Sequence, residues 1–199
     1  MLAEKIREER LPLGACVLDL CTGSGYLAIV AAQQGATRVV ATDISRRAVI
    51  ATKLNALLNG VDIDALHGDL FEPVGHERFH LIVSNPPYVP SVDDELPKRG
   101  PARAWEAGPD GRAFLDRICA EAASHLRPGG ALLLVHSSMC SEQITLDALS
   151  AHGLDARTVA RARGALGPIV RPRARMLKAR GLLGEDQLEE IVVVRAEAK

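Results

Sequence analysis

The sequence predicts an α/β fold: a doubly wound, mostly parallel sheet of about seven strands with an antiparallel C-terminal strand. Short apolar runs typical of buried strands alternate with longer segments typical of helices, and glycines mark many of the boundaries. The last two strand-like runs, residues 155–163 and 189–195, have no helix of ordinary length between them. Because parallel neighbours need a crossover helix, this final pair is expected to be antiparallel.

Helix and strand patterns alternate along the whole chain, as that fold requires. Besides the final pair, the predicted strands are residues 15–20, 38–42, 65–67, 79–84 and 131–135. The predicted helices are residues 26–34, 46–59, 112–125 and 141–152. Ser45 is suited to cap the second helix, and the run from Arg127 to Gly130 is expected to end the third.

Size and composition predict a soluble enzyme of one domain, residues 1–199, with a cytoplasmic location. The formal net charge of −1 gives no global attraction to nucleic acid, and the longest apolar runs are too short to span a membrane. The four cysteines show no C-x-x-C spacing, which is typical of free thiols in a reducing cytosol. No metal site is predicted.

The most informative stretch is Asn85-Pro86-Pro87-Tyr88, directly after the strand 79–84. Proline fixes φ, has no N–H and pushes the preceding residue into an extended conformation, so two prolines make a stiff ledge of carbonyl acceptors. Beside the Asn85 side chain, this ledge can hold both hydrogens of a planar NH₂ group while Tyr88 packs against the face of the substrate. The alternative is a proline-rich strand exit with a capping asparagine.

A cofactor site is predicted at the first strand–turn–helix unit. Gly23 and Gly25 lie in its turn, where the lack of a Cβ lets backbone N–H groups and a positive helix end approach a ligand. Asp43 ends the second strand, where its carboxylate can accept hydrogen bonds from both hydroxyls of a ribose. Gly23, Gly25 and Ala28 also fit the G-x-G-x-x-[GA] pattern, so a nicotinamide-dependent oxidoreductase is an alternative.

Two further carboxylates favour S-adenosylmethionine over a dinucleotide. Asp19 lies at the end of the first strand, where it can meet the ammonium group of a methionine-like moiety. Asp69 follows the third strand, where it can accept a hydrogen bond from an adenine amino group. Recognition of a nucleoside by acids at strand ends suits a ligand that has no phosphate.

With these residues the chain resembles the class I methyltransferases, and more narrowly those that methylate the side-chain amide of glutamine in translation release factors. The resemblance covers residues 13–195 and rests on five stretches, which are Asp19-Leu20-Cys21-Thr22-Gly23-Ser24-Gly25, Thr42-Asp43-Ile44-Ser45, Gly68-Asp69-Leu70-Phe71-Glu72-Pro73, Asn85-Pro86-Pro87-Tyr88-Val89 and Trp105-Glu106-Ala107-Gly108-Pro109-Asp110-Gly111. The Asn-Pro-Pro-Tyr set is shared with methyltransferases that act on the exocyclic amine of adenine in DNA or RNA, which is a further alternative.

The resemblance implies methyl transfer from S-adenosylmethionine to an amide or amine nitrogen, with protein glutamine ahead of adenine as the acceptor. The residues that it assigns to the cofactor are Asp19, Cys21, Gly23, Gly25, Asp43, Ile44, Asp69, Leu70 and Asn85. Those that it assigns to the acceptor are Asn85, Pro86, Pro87 and Tyr88, of which Asn85, Pro86 and Tyr88 form the catalytic set.

Two departures from the family pattern bear on activity. Cys21 replaces the first glycine of the usual turn. The chain is similar to the short form of the family, and the segment that folds over the methionine end of the cofactor is expected to be truncated or absent before Leu2. A catalytically weak cofactor-binding subunit is therefore another alternative. The short form also implies a small zinc-binding activator subunit as a partner.

Five basic residues lie between Arg171 and Arg180. They are interpreted either as an electrostatic grip on RNA or an acidic protein, or as a solvated loop and short helix. No aromatic residue interleaves them, which favours the solvated loop. Trp105, in the proline-containing loop from Val89 to Gly108, is expected to anchor that loop rather than to contact substrate.

Overall fold

The structure is a computed structural model that describes residues 1–93 and 95–199. Within these residues, seven strands form one sheet in the order β3-β2-β1-β4-β5-β7-β6. The strands are β1 Cys16–Leu20, β2 Arg38–Asp43, β3 Asp64–His67, β4 Phe79–Ser84, β5 Leu126–Ser137, β6 Leu154–Ala165 and β7 Leu188–Ala198. The α-helices are α1 Leu2–Glu8, α2 Tyr26–Gln33, α3 Arg46–Leu58, α4 Ala113–His125, α5 Glu142–Ala151 and α6 Ala174–Ala179. Short 3₁₀ helices span Glu72–Val74, Pro101–Ala104, Ser138–Cys140 and Arg171–Arg173.

The pairing of the strands confirms the predicted fold class. β1 pairs in parallel with β2 and β4, β2 pairs in parallel with β3, and β4 with β5. β7 lies between β5 and β6 and is antiparallel to both, as the missing crossover helix predicts. The direction of winding reverses between β1 and β4, and open α/β sheets bind ligands at the carboxyl ends of strands at such a point.

The central strands are apolar on both faces because helices cover both faces of the sheet. On one face, Val17 of β1 belongs to an apolar cluster that includes Ile6 of α1. On the other face, the next residue, Leu18, belongs to a cluster that includes Leu115 of α4 and Leu149 of α5. Successive side chains of a strand point in opposite directions, so one short apolar run supplies both clusters.

A third, smaller apolar cluster joins the segments that follow β4, β5 and β6. Its buried members include Val89, Met139, Leu166 and Leu177, and Trp105 packs against it. The basic segment between β6 and β7 therefore lies against the chain that follows the Asn-Pro-Pro-Tyr stretch. Its α6 is the short helix that the sequence predicts there, and the position of Trp105 confirms its predicted anchoring role.

The bounds of β5 differ most from the prediction. The strand begins at Leu126, directly after α4, and runs through residues 127–130. The sequence predicts that these four residues end the helix and form a turn, so this prediction is wrong. Its pairing with β4 shifts register between Phe79 and Leu81. A Cβ on Gly130 would lie 2.9 Å from the carbonyl oxygen of Phe79. A glycine-dependent irregularity thus lets the strand continue where the sequence indicates a stop.

The other predicted elements agree with the structure to within about three residues at each end. Ser45 caps α3 as predicted, since its hydroxyl oxygen accepts a hydrogen bond from the Ala48 N–H at 3.4 Å. Among the helices of the described residues, none is both long and apolar enough to cross a membrane.

Candidate active site

A cleft of about 1070 Å³ opens at the carboxyl ends of β1 to β4. The loops that follow these four strands form one side of it, and residues 96–106 and the start of α4 form the other. This is the position at which the reversal of winding predicts a ligand site. The volume is sufficient for a cofactor together with part of a second substrate.

The structure brings most of the predicted site residues to this cleft. The eight that line it are Cys21, Gly23, Asp43, Ile44, Asp69, Leu70, Asn85 and Pro87. The other four are not among the lining residues and are buried or half-buried: Asp19, Gly25, Pro86 and Tyr88. Residues from the glycine turn and from the Asn-Pro-Pro-Tyr stretch therefore share one cleft.

Asp43 and the glycine turn hold each other in place. One carboxylate oxygen of Asp43 accepts a hydrogen bond from the Gly23 N–H at 2.9 Å, and the other accepts from the Ser45 N–H at 2.8 Å. A carboxylate oxygen has two lone-pair sites, so each of the two can accept one more hydrogen bond. The carboxylate is thus fixed in orientation while it can still accept from two hydroxyls.

Asp19 lies beneath the cleft rather than on its surface. Its Oδ2 accepts hydrogen bonds from the Thr22 hydroxyl at 2.6 Å and from the Ala28 N–H at 3.1 Å. Its Oδ1 is buried without a hydrogen-bond partner in the described part of the chain. Burial raises the pKa of this carboxyl to about 7, against the two hydrogen bonds that lower it. The protonated form is therefore favoured in the fold, and this group's contribution to stability falls as the pH rises from about 4 to about 7.

Two residues that line the cleft have backbone angles that favour glycine. Cys21 has a φ of +57° and Leu70 a φ of +45°. Such conformations cost about 1–2 kcal/mol for a residue with a side chain, and they occur preferentially at functional sites. Cys21 is therefore accommodated in the family's glycine position at the expense of strain. Gly25 is required for another reason, because a Cβ there would lie 2.8 Å from Thr52 of α3.

Asp69 has a partner that the sequence does not reveal. Arg117 of α4 forms an ion pair with it, with 2.9 Å between the nitrogen and the carboxylate oxygen. Arg117 and Phe114 both line the cleft from the start of α4. The only sequence signal for them is the predicted helix after Gly111, and the structure brings its first turns to the loop that follows β3.

Asn85 lies at the end of β4 with its side chain exposed. β4 is anchored directly beside β1, and the Ser84 hydroxyl donates a hydrogen bond to the Leu20 carbonyl at 3.0 Å. Among the hydrogen bonds of the described residues, none involves the Asn85 side chain. Its amide is thus held on a rigid strand end, with its hydrogen-bonding capacity open to the cleft.

The stretch after Asn85 is held in place by residues 105–111, another of the stretches on which the resemblance rests. The Val89 N–H donates to the Trp105 carbonyl at 2.7 Å, and the Ser91 N–H donates to the Gly108 carbonyl at 2.8 Å. A Cβ on Gly111 would lie 2.4 Å from the Tyr88 carbonyl oxygen. The Gly-Pro-Asp-Gly segment therefore packs against the proline ledge, and only glycine fits at position 111.

A buried arginine supports the same ledge from behind. The Cys140 thiol donates a hydrogen bond to the Tyr88 carbonyl at 3.1 Å. Arg112, which is 4% exposed, donates to the Cys140 carbonyl, to the Ser141 carbonyl at 3.2 Å and to the Thr145 hydroxyl at 3.1 Å. Burial of the thiol raises the pKa of Cys140 to about 12, so it remains a neutral donor.

The ring of Tyr88 is half-buried between two apolar clusters rather than on the cleft surface. Burial raises the pKa of its hydroxyl to about 12. The predicted role of Tyr88 as a flat wall for the substrate stays a prediction, because the residue packs mainly against the protein itself.

Two residues of the basic segment, Arg173 and Arg180, contact the chain that follows β4. Arg173 pairs with Glu106 at 2.5 Å, and both side chains are less than one fifth exposed. Arg180 donates to the Ser91 carbonyl at 2.6 Å and to the Val92 carbonyl at 3.1 Å. These contacts hold the loop after β4 in place, whereas RNA binding by this segment stays a prediction.

Comparison with known proteins agrees with this site. The family model described as the methyltransferase small domain matches residues 1–97. A putative protein N5-glutamine methyltransferase of Methanocaldococcus jannaschii is 37% identical over 145 residues, which are 73% of this chain and 73% of that protein. The release factor glutamine methyltransferase of Geobacter sulfurreducens is 39% identical over 131 residues, 63% of this chain but 46% of its own length. The chain thus spans less than half of that longer relative.

Solved structures show the same fold. One is the T. thermophilus 16S rRNA N2 G1207 methyltransferase in complex with AdoMet and guanosine, with a TM-score of 0.62 and 25% identity. The match covers 100% of this chain and 42% of that enzyme's chain. The ribosomal protein L11 methylase of Lactobacillus delbrueckii subsp. bulgaricus has a TM-score of 0.62 at 24% identity, and covers 96% of this chain and 76% of its own. These similarities do not support the alternative of a nicotinamide-dependent oxidoreductase. The chain belongs to the family of methyltransferases that includes the protein N5-glutamine methyltransferases.

Proposed function

We propose that this chain transfers a methyl group from S-adenosylmethionine to the side-chain amide nitrogen of a glutamine in a protein. The observation that carries the proposal is the exposed Asn85 amide, which lies on a proline ledge in the same cleft as Asp43 and Asp69. Relatives that are named as protein glutamine methyltransferases support the choice of acceptor.

The residues around the cleft fit this cofactor. Asp43 can accept from two ribose hydroxyls, and Asp69 from an adenine amino group. The unpartnered Oδ1 of Asp19 is suited to an ammonium group, since a cation beside it would stabilise the ionised form that burial disfavours. When bound, the cofactor supplies an electrophilic methyl group. Cofactor contacts of Cys21, Gly23, Gly25, Ile44 and Leu70 belong to the same proposal.

On the acceptor side, the task of the protein is to position a poor nucleophile. The lone pair of an amide nitrogen is delocalised into its carbonyl. Asn85 and the carbonyl groups of the proline ledge accept hydrogen bonds from both N–H hydrogens and hold the nitrogen in line with the methyl group. The same acceptors stabilise positive charge as it develops on the nitrogen. The proton leaves after transfer, so no separate base is assigned.

The direct test is transfer of a radiolabelled methyl group into fractionated cell lysate, scored for protein, RNA and DNA. We expect the label in protein, and mass spectrometry of the labelled peptide should place the added mass on a glutamine side chain. Label in nucleic acid alone would instead support the adenine alternative. Stabilisation by S-adenosylhomocysteine but not by NADH in a thermal-shift measurement would test the cofactor separately.

The partners also belong to this proposal. A translation release factor as substrate would place the enzyme in the cytoplasm. Binding of a small zinc-binding activator is supported by α3, which exposes four large apolar side chains on its outer surface, Ile50, Leu54, Leu57 and Leu58. Copurification of the tagged chain from native extract, followed by zinc analysis of any bound subunit, tests this. Full activity of the purified chain alone would show that no activator is needed.

A further inference from the structure

The charge of the cleft does not match its cofactor. Five arginines line it, against three carboxylates, those of Asp43, Asp69 and Glu106. Asp69 is paired with Arg117, and Glu106 is paired with Arg173, which does not line the cleft. Four arginines remain that have no ion pair within the described residues: Arg46, Arg47, Arg99 and Arg103.

These four side chains, here called the arginine rim, would not be expected for the cofactor alone. S-adenosylmethionine has no phosphate, and its sulfonium and ammonium groups outnumber its carboxylate. A cleft that served only this cation would be stabilised by surplus carboxylates, as the placement of Asp19, Asp43 and Asp69 indicates. Surplus arginines oppose the binding of a cation unless an anion binds nearby.

Half of the arginine rim lies where its charge is locally unfavourable. Arg46 and Arg47 are the first two residues of α3, whose first turn contains no acidic residue. The N-terminus of a helix carries partial positive charge, and acidic rather than basic side chains stabilise it. Both arginines are exposed and line the cleft. An anionic ligand would offset this repulsion.

Resting on the proposed function, we propose that the arginine rim binds acidic side chains of the protein substrate close to the acceptor glutamine. The planar guanidinium groups match carboxylates with two parallel hydrogen bonds, so they can select an acidic segment as well as attract it. Arg99 and Arg103 belong to the loop after β4, whereas the other pair belongs to α3, so the rim borders the cleft from two elements.

A carboxylate-bearing protein explains the rim better than nucleic acid does. Single-stranded nucleic acid is bound by basic grooves with aromatic side chains on which bases stack. Among the described residues that line the cleft, Phe114 is the only Phe, Tyr or Trp. The net charge of the whole chain, −1, also lacks the general excess of positive charge that phosphate binding uses.

The test is a binding measurement with two labelled peptides of equal length in the presence of S-adenosylhomocysteine. Each contains one central glutamine, flanked by aspartates in one peptide and by serines in the other. We expect the acidic peptide to bind about tenfold more tightly, equivalent to about 1.4 kcal/mol. The preference should shrink as the ionic strength rises, since surface charge interactions are screened by salt.

The variant Arg99→Ala/Arg103→Ala should reduce that preference to within about twofold. The matched control is Arg7→Ala/Arg10→Ala, which likewise removes two positive charges. Arg7 and Arg10 are exposed and do not line the cleft, so this variant should keep the full preference. Urea unfolding of both variants checks that the fold is intact. Affinity for S-adenosylhomocysteine should not weaken in either.

Equal binding of the two peptides by the wild type, or a preference that survives loss of Arg99 and Arg103, overturns the proposal. Polyadenylate that binds more tightly than the acidic peptide, and loses affinity in the same variant, would assign the rim to phosphate instead. The result is separable from the proposed function, since binding is read without methyl transfer. If the acidic peptide is preferred but no glutamine is methylated, the proposed function is contradicted while the proposed role of the arginine rim in binding stands.

Discussion

The two sides of the cleft are stabilised in different ways. On the cofactor side, several contacts join residues that are close in the chain, Asp19 with Thr22 three residues away and Asp43 with Ser45 two residues away. Longer contacts, such as that of Asp43 with Gly23 20 residues away, join the ends of neighbouring strands. On the acceptor side, they join distant segments. The Tyr88 carbonyl receives a hydrogen bond from Cys140, 52 residues away, and Arg180 binds the Ser91 carbonyl, 89 residues away.

This difference separates cofactor binding from methyl transfer. The cofactor side is built on the ends of the neighbouring strands β1 to β3, so damage there should reduce cofactor affinity first. The acceptor ledge depends on the loop from Val89 to Gly108, on Arg112 and on the segment between β6 and β7. Changes far from Asn85 should therefore lower turnover while the cofactor still binds.

The largest effect is expected at the ledge itself. Asn85→Ala removes an acceptor that positions the substrate nitrogen and stabilises the positive charge developing on it, and turnover should fall by about 10²–10³. Affinity for S-adenosylmethionine, measured by calorimetry, should change little. The matched control is Asn59→Ala, which changes an exposed asparagine directly after α3 and should leave turnover unchanged. Equal losses of turnover and affinity in Asn85→Ala would mean that Asn85 supports the cofactor or the fold.

On the cofactor side, Asp43→Ala should weaken S-adenosylmethionine binding by about 1.5–3 kcal/mol, because hydrogen bonds to a charged acceptor are lost. The same change removes acceptors for the N–H groups of Gly23 and Ser45. Asp43→Asn keeps one acceptor oxygen, so its affinity for S-adenosylmethionine should lie between those of Asp43→Ala and the wild type. An unchanged calorimetric affinity in both variants would refute the ribose assignment.

The support behind the ledge gives a third measurement. Arg112→Met removes the hydrogen bonds of the arginine to the carbonyls of Cys140 and Ser141 and to the Thr145 hydroxyl, and should reduce the free energy of unfolding by about 1–3 kcal/mol. Turnover of the folded protein should fall by about tenfold or more, since a small displacement of an acceptor disrupts alignment. Cofactor affinity should stay within about twofold.

Arg127→Met serves as the control for that variant, because Arg127 is exposed and donates a single hydrogen bond, to the Arg78 carbonyl. It should lower neither stability nor turnover appreciably. If Arg112→Met weakens cofactor binding as much as it lowers turnover, the two sides of the cleft are not independent and the comparison fails.

The smallest effect concerns strain on the cofactor side. Cys21→Gly relieves a residue at a φ of +57° and should raise the free energy of unfolding by about 0.5–1 kcal/mol, after the greater entropy of glycine in the unfolded chain is offset. The urea midpoint measures this. Cys21→Ala retains the Cβ and should bring no such gain, so equal midpoints for the two variants would show that φ is not the cause.

Local pattern sufficed for the fold class and for the common location of Gly23, Asp43 and Asp69, whose contacts with a cofactor stay predictions. Each strand there ends in an acid or a glycine turn that can be read from a few consecutive residues, and Asp43 and Gly23 indeed meet. It did not reveal the depth of Asp19, because burial leaves this carboxylate beneath the cleft; its contact with a ligand stays a prediction. The glycine irregularity in β5 was also missed, because residues 127–130 contain every local signal of a turn.

The sequence by itself determined the alternation of strands and helices, the acids at the strand ends and the proline ledge, because periodicity, glycine and proline act over short distances. Only the tertiary structure decided that Arg112 and Cys140 support Tyr88, that Arg117 pairs with Asp69, and that four arginines without an ion pair to residues 1–93 or 95–199 border one cleft. Contacts of that kind join segments tens of residues apart. They depend on the order and winding of the strands, which bring those segments together.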